Sequence, residues 1–333
     1  MLMCPALDDG PVTTATSPVL EPRDATLPET AQPRRLVSPP TRAAGAALVT
    51  IVLWASAFVV IRSSGAHLSP GPMALARVGV AAVVLTPFVL LGRGRAAGPL
   101  LPRGWRAVLP VVGYGALWFA GYNVALNAAE RHVDAGTAAL LVNVAPVLIA
   151  LGGGLFLREG FSRPVFLGCA VAFAGVALMA SDSSGRRDGA GIAFALVAAV
   201  LYASSVLLQK VTLRSVDALR ATWLGCLVGT VVTLPYAGEL VHEAQGAPTS
   251  ALLGAAYLGA FPTAVAFTTW AYALRRMPAG RLGPLGYLVT VLSVLMSWAF
   301  LSEVPSTLAL VGGAVCLVGV VVSRRRPRSR DEG

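Results

Sequence analysis

Two stretches of the chain decide its fold: LREGFSRPVFLGCAVAFAGVAL at residues 157–178 and FLSEVPSTLALVGGAVCLVGVV at residues 300–321. They are two copies of one pattern, an acidic residue followed by a Gly-rich apolar run. A shift of 144 residues superposes the following pairs along the chain: Gly115 on Gly259, Gly136 on Gly280, Glu159 on Glu303, Gly168 on Gly312 and Gly175 on Gly319. The chain therefore contains an internal repeat.

The composition indicates what surrounds this repeat. Of the 333 residues, 56% are hydrophobic and 13% are charged, and the mean hydropathy is +0.71. A soluble core cannot enclose so much apolar surface, so lipid is the expected solvent. Three of the four cysteines lie in apolar runs without CxxC or Cys/His spacing, which argues against a disulfide framework or a metal site. We expect no cofactor.

The apolar runs predict an all-α integral membrane protein with ten transmembrane helices. A helix that crosses a bilayer core of about 30 Å needs roughly 20 apolar residues. Division of the sequence at charged and Pro/Gly clusters gives ten such runs, at residues 43–62, 71–92, 106–128, 134–156, 163–181, 189–209, 219–237, 249–273, 280–301 and 304–323.

Loop charges predict the orientation, because basic loops stay in the cytoplasm. One set of alternate loops holds 21 of the 26 Lys and Arg residues and the other holds four, with Arg77 inside a span. Both termini are therefore expected in the cytoplasm, and two halves of five helices each must be inverted relative to one another. The predicted segments are a disordered Pro-rich tail at 1–42, a first repeat at 43–181, an external linker at 182–188, a second repeat at 189–323 and a basic tail at 324–333.

From about residue 45 to 323 the sequence resembles the EamA-like exporters of the drug/metabolite transporter superfamily. The resemblance is carried by LWASAFVVIRS and SPGPMALAR at 53–77, by the segment at 140–178 that begins LLVNVAPV, and by the segment at 272–322 that begins YALRRMPAG. It implies a 5 + 5 inverted fold and export of small metabolites such as amino acids or their derivatives, without ATP hydrolysis. The smaller four-helix multidrug members keep a Glu in their first helix for proton exchange. Here that helix has no carboxylate, so that proton mechanism is not transferred.

The candidates for a substrate cavity are aromatic and polar residues of the apolar spans. An arginine at depth costs about 2.5 kcal/mol or more and usually faces the bundle interior, where it can hold a substrate carboxylate. The alternative is that Arg77 reaches outward or pairs with Glu130 or Asp134. For the aromatic and Asn residues the alternatives are packing and hydrogen bonds between helices. The candidates are Trp54, Phe58, Arg77, Trp118, Tyr122, Asn123, Asn143, Tyr202, Trp270 and Tyr287.

Glu159 and Glu303 occupy the corners between two helices in each half, the positions onto which the resemblance carries the acidic corner residue of the family. An acid at a helix N-terminus offsets the helix dipole, so capping is one role and gating is the other. The small residues that follow, Gly168 with Ala172 and Gly312 with Cys316, are each one turn apart and predict close helix packing.

The function predicted is a secondary transporter that exports small metabolites across the inner membrane by alternating access, with a small-molecule substrate and the lipid bilayer as partners. A lipid or lipid-linked-sugar flippase is one alternative. A membrane-embedded enzyme is another, but the three His residues fall in loops or at span ends. The formal charge of +10 lies between apolar runs and does not predict nucleic-acid binding. A homodimer is left open.

Overall fold

The computed structural model describes residues 40–91, 102–156, 163–181, 189–274, 276 and 286–323. Most of the predicted N-terminal tail, the linker 182–188, the basic tail 324–333 and Glu159 lie outside these residues. In the described part the chain is helical throughout and carries no strand, which confirms the all-α class. The first helix begins at Pro40, three residues before the predicted start of the first span at residue 43.

We label the helices α1 to α10. Their bounds are Pro40–Ser64 for α1, Pro70–Leu91 for α2, Trp105–His132 for α3, Ala135–Val142 and Ala145–Phe156 for α4, Arg163–Ala180 for α5, Gly189–Thr212 for α6, Ala218–Gly246 for α7, Thr249–Leu258, Gly259–Val265 and Ala266–Leu274 for α8, Leu288–Leu301 for α9 and Thr307–Ser323 for α10. Six of them (α1, α2, α3, α6, α7 and α8) are long and apolar enough to cross a membrane, and the other four contain shorter apolar helices. The chain is therefore a multi-pass helical membrane protein, and the ten-span topology stays a prediction.

The third helix is longer than predicted. It continues through the sequence ALNAAERH to His132, four residues beyond the predicted end, because this segment has no Pro or Gly and is rich in good helix formers. Val133 is extended and ends the helix. Asp134 then caps α4, its side chain accepting a hydrogen bond of 2.7 Å from the backbone N–H of Thr137. Glu130 consequently lies inside α3 and not in a loop.

Two helices contain a π-helical segment at corresponding places. The segment in α3 runs over Gly115–Tyr122, and the segment in α8 runs over Gly259–Val265. Their first residues are the glycine pair that the 144-residue shift superposes. A π segment opens the regular i→i−4 bonding of a helix and is frequent at functional sites. The segment in α3 lines the cavity described below through Trp118 and Tyr122, and the segment in α8 hydrogen-bonds to the lining residues Trp54 and Arg77.

The helices α5 and α10 cross with almost no side chain between them. A Cβ atom on Gly319 would fall against the backbone of Ala172 and Gly168, and a Cβ on Gly175 would fall against the backbone around Cys316. The predicted close packing at these small residues is therefore confirmed. Side chains on the outward faces of the helices, such as Leu91 (85% exposed), are large and apolar, as a surface in contact with lipid requires.

Candidate functional site

A cavity of about 330 Å³ lies inside the helical bundle and is lined by side chains from α1, α2, α3, α4, α6, α8 and α9. The structure brings nine of the ten cavity candidates into its lining. They are Trp54, Phe58, Arg77, Trp118, Tyr122, Asn143, Tyr202, Trp270 and Tyr287. Both halves of the chain contribute to it, so the cavity exists only when the two repeats pack together.

Eight of the twenty residues that line the cavity are aromatic. The ring of Trp118 lies 5.1 Å from that of Tyr202 and 5.3 Å from that of Phe267, in both cases edge to face. The ring of Trp54 lies 5.7 Å from Phe267 and 5.2 Å from Trp270. Edge-to-face aromatic pairs at these distances are favourable beyond their buried area. The wall is therefore rigid as well as apolar.

A proline in α8 sets up the polar part of the wall. Pro262 has no backbone N–H, which leaves the carbonyl of Leu258 without its usual helical donor. The hydroxyl of Thr263 donates to that carbonyl at 2.9 Å, and the indole N–H of Trp54 donates to the carbonyl of Pro262 at 3.1 Å. The π segment of α8 thus holds Trp54 of the first half in place.

Arg77 belongs to this same polar chain. Its Nε donates to the Thr263 hydroxyl oxygen at 3.1 Å, and the residue is 7% exposed. Its Nη1 atom has no hydrogen-bond partner among the residues that the structure describes. Neither alternative for Arg77 is seen, because the side chain lies in the interior and the ion pairs of the described part do not include it. A buried guanidinium with an unused N–H group in a cavity can hold a carboxylate.

The two asparagine candidates have different places. The Nδ2 group of Asn143 donates to the Ala139 carbonyl at 3.0 Å and to the hydroxyl of Thr290, so it joins α4 to α9 at the cavity. Asn143 sits at the break in α4, where Pro146 removes a helical donor. Thr290 also lines the cavity, so this contact between the halves is part of its wall.

Asn123 does not line the cavity, and its prediction as a cavity residue is wrong. The residue is 3% exposed, and its Nδ2 group donates to the carbonyls of Trp118 and Phe119, each at 3.0 Å. The reason is the π segment that ends just before it. Such a segment misaligns backbone carbonyls, and the amide side chain turns back to satisfy them.

Phe267, Gln209 and Pro146 are among the lining residues that the sequence did not lead us to propose. Phe267 is three residues before Trp270 and so shares its helix face, a spacing that could have indicated it. Gln209 donates a long hydrogen bond of 3.3 Å to the Tyr114 hydroxyl. It lies near the end of α6, where a polar residue in the sequence usually indicates the start of a loop. Pro146 lies next to the break in α4, and its place in the wall depends on helix packing that the sequence does not show.

A second polar group joins the ends of α1, α3 and α9, and we call Arg62, Glu130 and Glu303 the Arg62 cluster. The guanidinium of Arg62 contacts the Glu303 carboxylate from Nε at 3.0 Å and from Nη2 at 3.0 Å. Its Nη1 donates to the backbone carbonyl of Glu130 at 2.6 Å. The cluster lines a separate cavity of about 370 Å³.

The backbone conformation at the end of α9 directs the side chain of Glu303 toward α1. Ser302 ends α9 in the left-handed conformation, with φ of 56°. The Ser302 N–H donates back to the Trp298 carbonyl, which is the bond of an αL cap, and the Glu303 N–H donates to the Ser297 carbonyl. The first turn of α10 is instead capped by the Ser306 hydroxyl, which accepts from Ala309 N at 3.1 Å. Glu303 is therefore paired across the bundle with Arg62, and Ser306 is the residue that caps α10.

A bundle of apolar helices around an interior aromatic cavity that the buried cation Arg77 lines is the arrangement of a membrane protein that binds a small solute within the bilayer. Residues 41–181 and 189–325 each match the EamA-like transporter family. The chain belongs to this family and is a membrane transporter of small molecules, which confirms the resemblance noted in the sequence.

Similar proteins extend over nearly the whole chain. A "Probable terminal-alkyne amino-acid exporter" of Streptantibioticus cattleyicolor is 35% identical over 87% of this chain and 96% of its own length. The "Uncharacterized transporter YdfC" of Bacillus subtilis is 31% identical over 81% of this chain and 87% of its own. A crystal structure with a TM-score of 0.56 and 21% identity covers 85% of this chain and 97% of the solved one, a likeness of fold.

Proposed function

We propose that the protein is a secondary transporter that exports small, amino-acid-like metabolites across the inner membrane by alternating access. The observation that carries this proposal is the placement of Arg77 in the aromatic cavity. A guanidinium recognises a carboxylate, and the rings of Trp118 and Trp54 accept an apolar or unsaturated side chain. The exporter of Streptantibioticus cattleyicolor, whose name specifies terminal-alkyne amino acids, supports this class of substrate.

We also propose that ten helices cross the membrane as two inverted repeats. The four shorter apolar helices, in α4, α5, α9 and α10, take the last two places of each half, and the two stretches that match the family lie one in each half. The π segments at corresponding positions of α3 and α8 support the duplication. Five helices per half invert the second copy, and the basic loops place both termini in the cytoplasm.

Reporter fusions test this topology directly. An alkaline phosphatase fused after Ser184 is expected to be active, because the linker 182–188 follows the fifth span and lies outside. A fusion after Gly333 is expected to be inactive, whereas a green fluorescent protein at the same place is expected to fluoresce. A cytoplasmic reporter signal at Ser184 would contradict ten spans and the inversion together.

The substitution Arg77→Gln tests the role of the cavity. Loss of a charge-assisted contact of about 1.5–3 kcal/mol is expected to weaken binding of carboxylate-bearing solutes by roughly tenfold to a hundredfold. Bacteria that overproduce the protein would be screened for resistance to toxic amino-acid analogues, with metabolites measured in the medium. We expect resistance and export to be lost in Arg77→Gln at unchanged membrane abundance.

Arg214→Gln is the matched control, since Arg214 is exposed just after α6 and lines neither cavity. It should export as the unaltered protein does. Loss of abundance in Arg77→Gln would assign Arg77 a structural role. Export of lipid-linked material in place of amino-acid analogues would replace the proposed cargo by that of a flippase.

A further inference from the structure

Glu130 is a buried acid that the substrate cavity does not use. It lies on the last turn of α3 and is 1% exposed. Neither of its carboxyl oxygens has a hydrogen-bond partner among the described residues. The residue lines the second cavity together with Arg62, Arg131 and Glu303. A carboxyl group that is buried without a hydrogen-bond partner is unfavourable unless something else binds to it.

The surroundings decide the state of this carboxyl group. An ionised carboxylate that is buried without donors loses several kcal/mol of hydration energy that nothing returns. The charged side chains near enough to act on it are Arg62 of α1, Arg77 of α2, Asp134 before α4 and Glu303 after α9. Helix α6 also packs against this part of α3 and adds no charged group within the described residues. A proton is the ligand that satisfies Glu130 here.

Arg62 connects the charge of Glu130 to the closure of the bundle. The guanidinium binds the carboxylate of Glu303 and, at 2.6 Å, the backbone carbonyl of Glu130 itself. While Glu130 is neutral, Glu303 is the carboxylate that Arg62 binds in the cluster. When Glu130 releases its proton to water, a second carboxylate appears beside the same guanidinium and competes for it. The ion pair that joins α1 to the end of α9 is weakened as a result.

We propose that Glu130 is the proton-coupling residue of the transporter and that Arg62 translates its protonation into opening of this end of the bundle. The proton is taken from water on one side of the membrane and released on the other side, one per cycle. Arg77 links the two sites, because it lines the substrate cavity and also acts on Glu130. The proposed proton-coupling group thus lies on α3. The first helix, α1, has no carboxylate that could take this role.

This inference rests on the proposed transport function, so the experiment separates the two. Purified full-length protein in liposomes would be assayed with radiolabelled L-propargylglycine, a terminal-alkyne amino acid. Counterflow without any ion gradient reports binding and translocation alone. Accumulation under an imposed pH gradient reports coupling. Absence of counterflow in the unaltered protein would refute the proposed function for this solute and would say nothing against Glu130.

The substitution Glu130→Gln is expected to abolish pH-driven accumulation and to keep counterflow. Glu130→Asp keeps a titratable group and is expected to retain part of the driven accumulation. The control is Glu239→Gln, since Glu239 is an exposed acid of α7, and it should behave as the unaltered protein does. Driven accumulation that survives in Glu130→Gln, or that follows a sodium gradient instead, would overturn the proposal.

Infrared difference spectroscopy of the purified protein tests the proton without any substrate. Titration from neutral to high pH is expected to remove the carbonyl band of a protonated carboxyl group in the unaltered protein and in Glu239→Gln. The same band should be missing from Glu130→Gln. Absence of such a band in the unaltered protein, or its persistence in Glu130→Gln, would also overturn the proposal, whatever the transport assays give.

Discussion

Replacement of Arg62 by Gln removes the guanidinium that joins the ends of α1, α3 and α9. Four contacts are lost: Nε to both carboxylate oxygens of Glu303 at 3.0 and 3.2 Å, Nη2 to Oε1 at 3.0 Å, and Nη1 to the carbonyl of Glu130 at 2.6 Å. In our account these contacts exist only while this end of the bundle is closed. Their loss therefore shifts the equilibrium between the closed and open states.

The size of the shift follows from the exposure of the pair. Hydrogen bonds to charged groups contribute about 1.5–3 kcal/mol when buried, and exposed ion pairs contribute roughly 0.2–1 kcal/mol. The side chains of Arg62 and Glu303 are 14% and 25% exposed, between these cases. We take about 1.5 kcal/mol as the free energy by which the Arg62 contacts stabilise the closed state. Their loss then raises the population of the open state roughly tenfold.

Cysteine labelling measures this population. Ala57 lines the substrate cavity and is 5% exposed, so Ala57→Cys in a background without the native cysteines reports access from the side of the Arg62 cluster. A membrane-impermeant maleimide applied to right-side-out vesicles should label it about tenfold faster in Arg62→Gln. Arg214→Gln should not change the rate, because Arg214 is exposed just after α6 and lines neither cavity.

The charge swap Arg62→Glu with Glu303→Arg provides the internal check. The double variant restores an ion pair with the two charges exchanged, so the labelling rate at Ala57→Cys should return toward the slow rate of the unaltered protein. Each single substitution should give fast labelling. Equal rates in Arg62→Gln and the unaltered protein would refute the reasoning. So would a double variant that labels as fast as the two single ones combined.

The packing of α5 on α10 and the cap of α4 give two further predictions. Gly319→Ala would place a methyl group against the backbone of Ala172, so the melting temperature in detergent should fall by several degrees, while Gly79→Ala, with open space around it, should leave it unchanged or raise it. Equal melting temperatures for both variants would contradict the close crossing. Asp134→Ala removes the side chain that accepts from Thr137 and should cost about 1 kcal/mol of unfolding free energy; no loss in chemical denaturation would contradict the cap.

The sequence predicts the cavity better than it predicts the ends of the helices. Polar and aromatic side chains in apolar spans must face protein rather than lipid, and this one rule brings Trp54, Arg77 and Trp118 to the same cavity. It fails for Asn123, because the π segment before it changes the direction of the side chain. Hydropathy carries no signal for such a change in helix pitch.

The Arg62 cluster could not be predicted, for a different reason. Arg62 and Glu303 are far apart in the sequence and each reads as an ordinary residue at the end of a span. Glu130 reads as a loop residue, because a charge usually marks the end of an apolar run, whereas α3 continues past it to His132. Only the packing of the three helix ends shows that one guanidinium binds the carboxylate of Glu303 and the backbone carbonyl of Glu130.

The central claim is that the cavity around Arg77 carries amino-acid-like solutes through the membrane. Its most direct test is counterflow of radiolabelled L-propargylglycine in liposomes that contain the purified protein, side by side with liposomes that contain the Arg77→Gln variant. The account predicts exchange that unlabelled L-propargylglycine accelerates in the unaltered protein and that Arg77→Gln reduces to the level of protein-free liposomes. Equal exchange by both proteins, or none by either for a panel of amino acids, would contradict it.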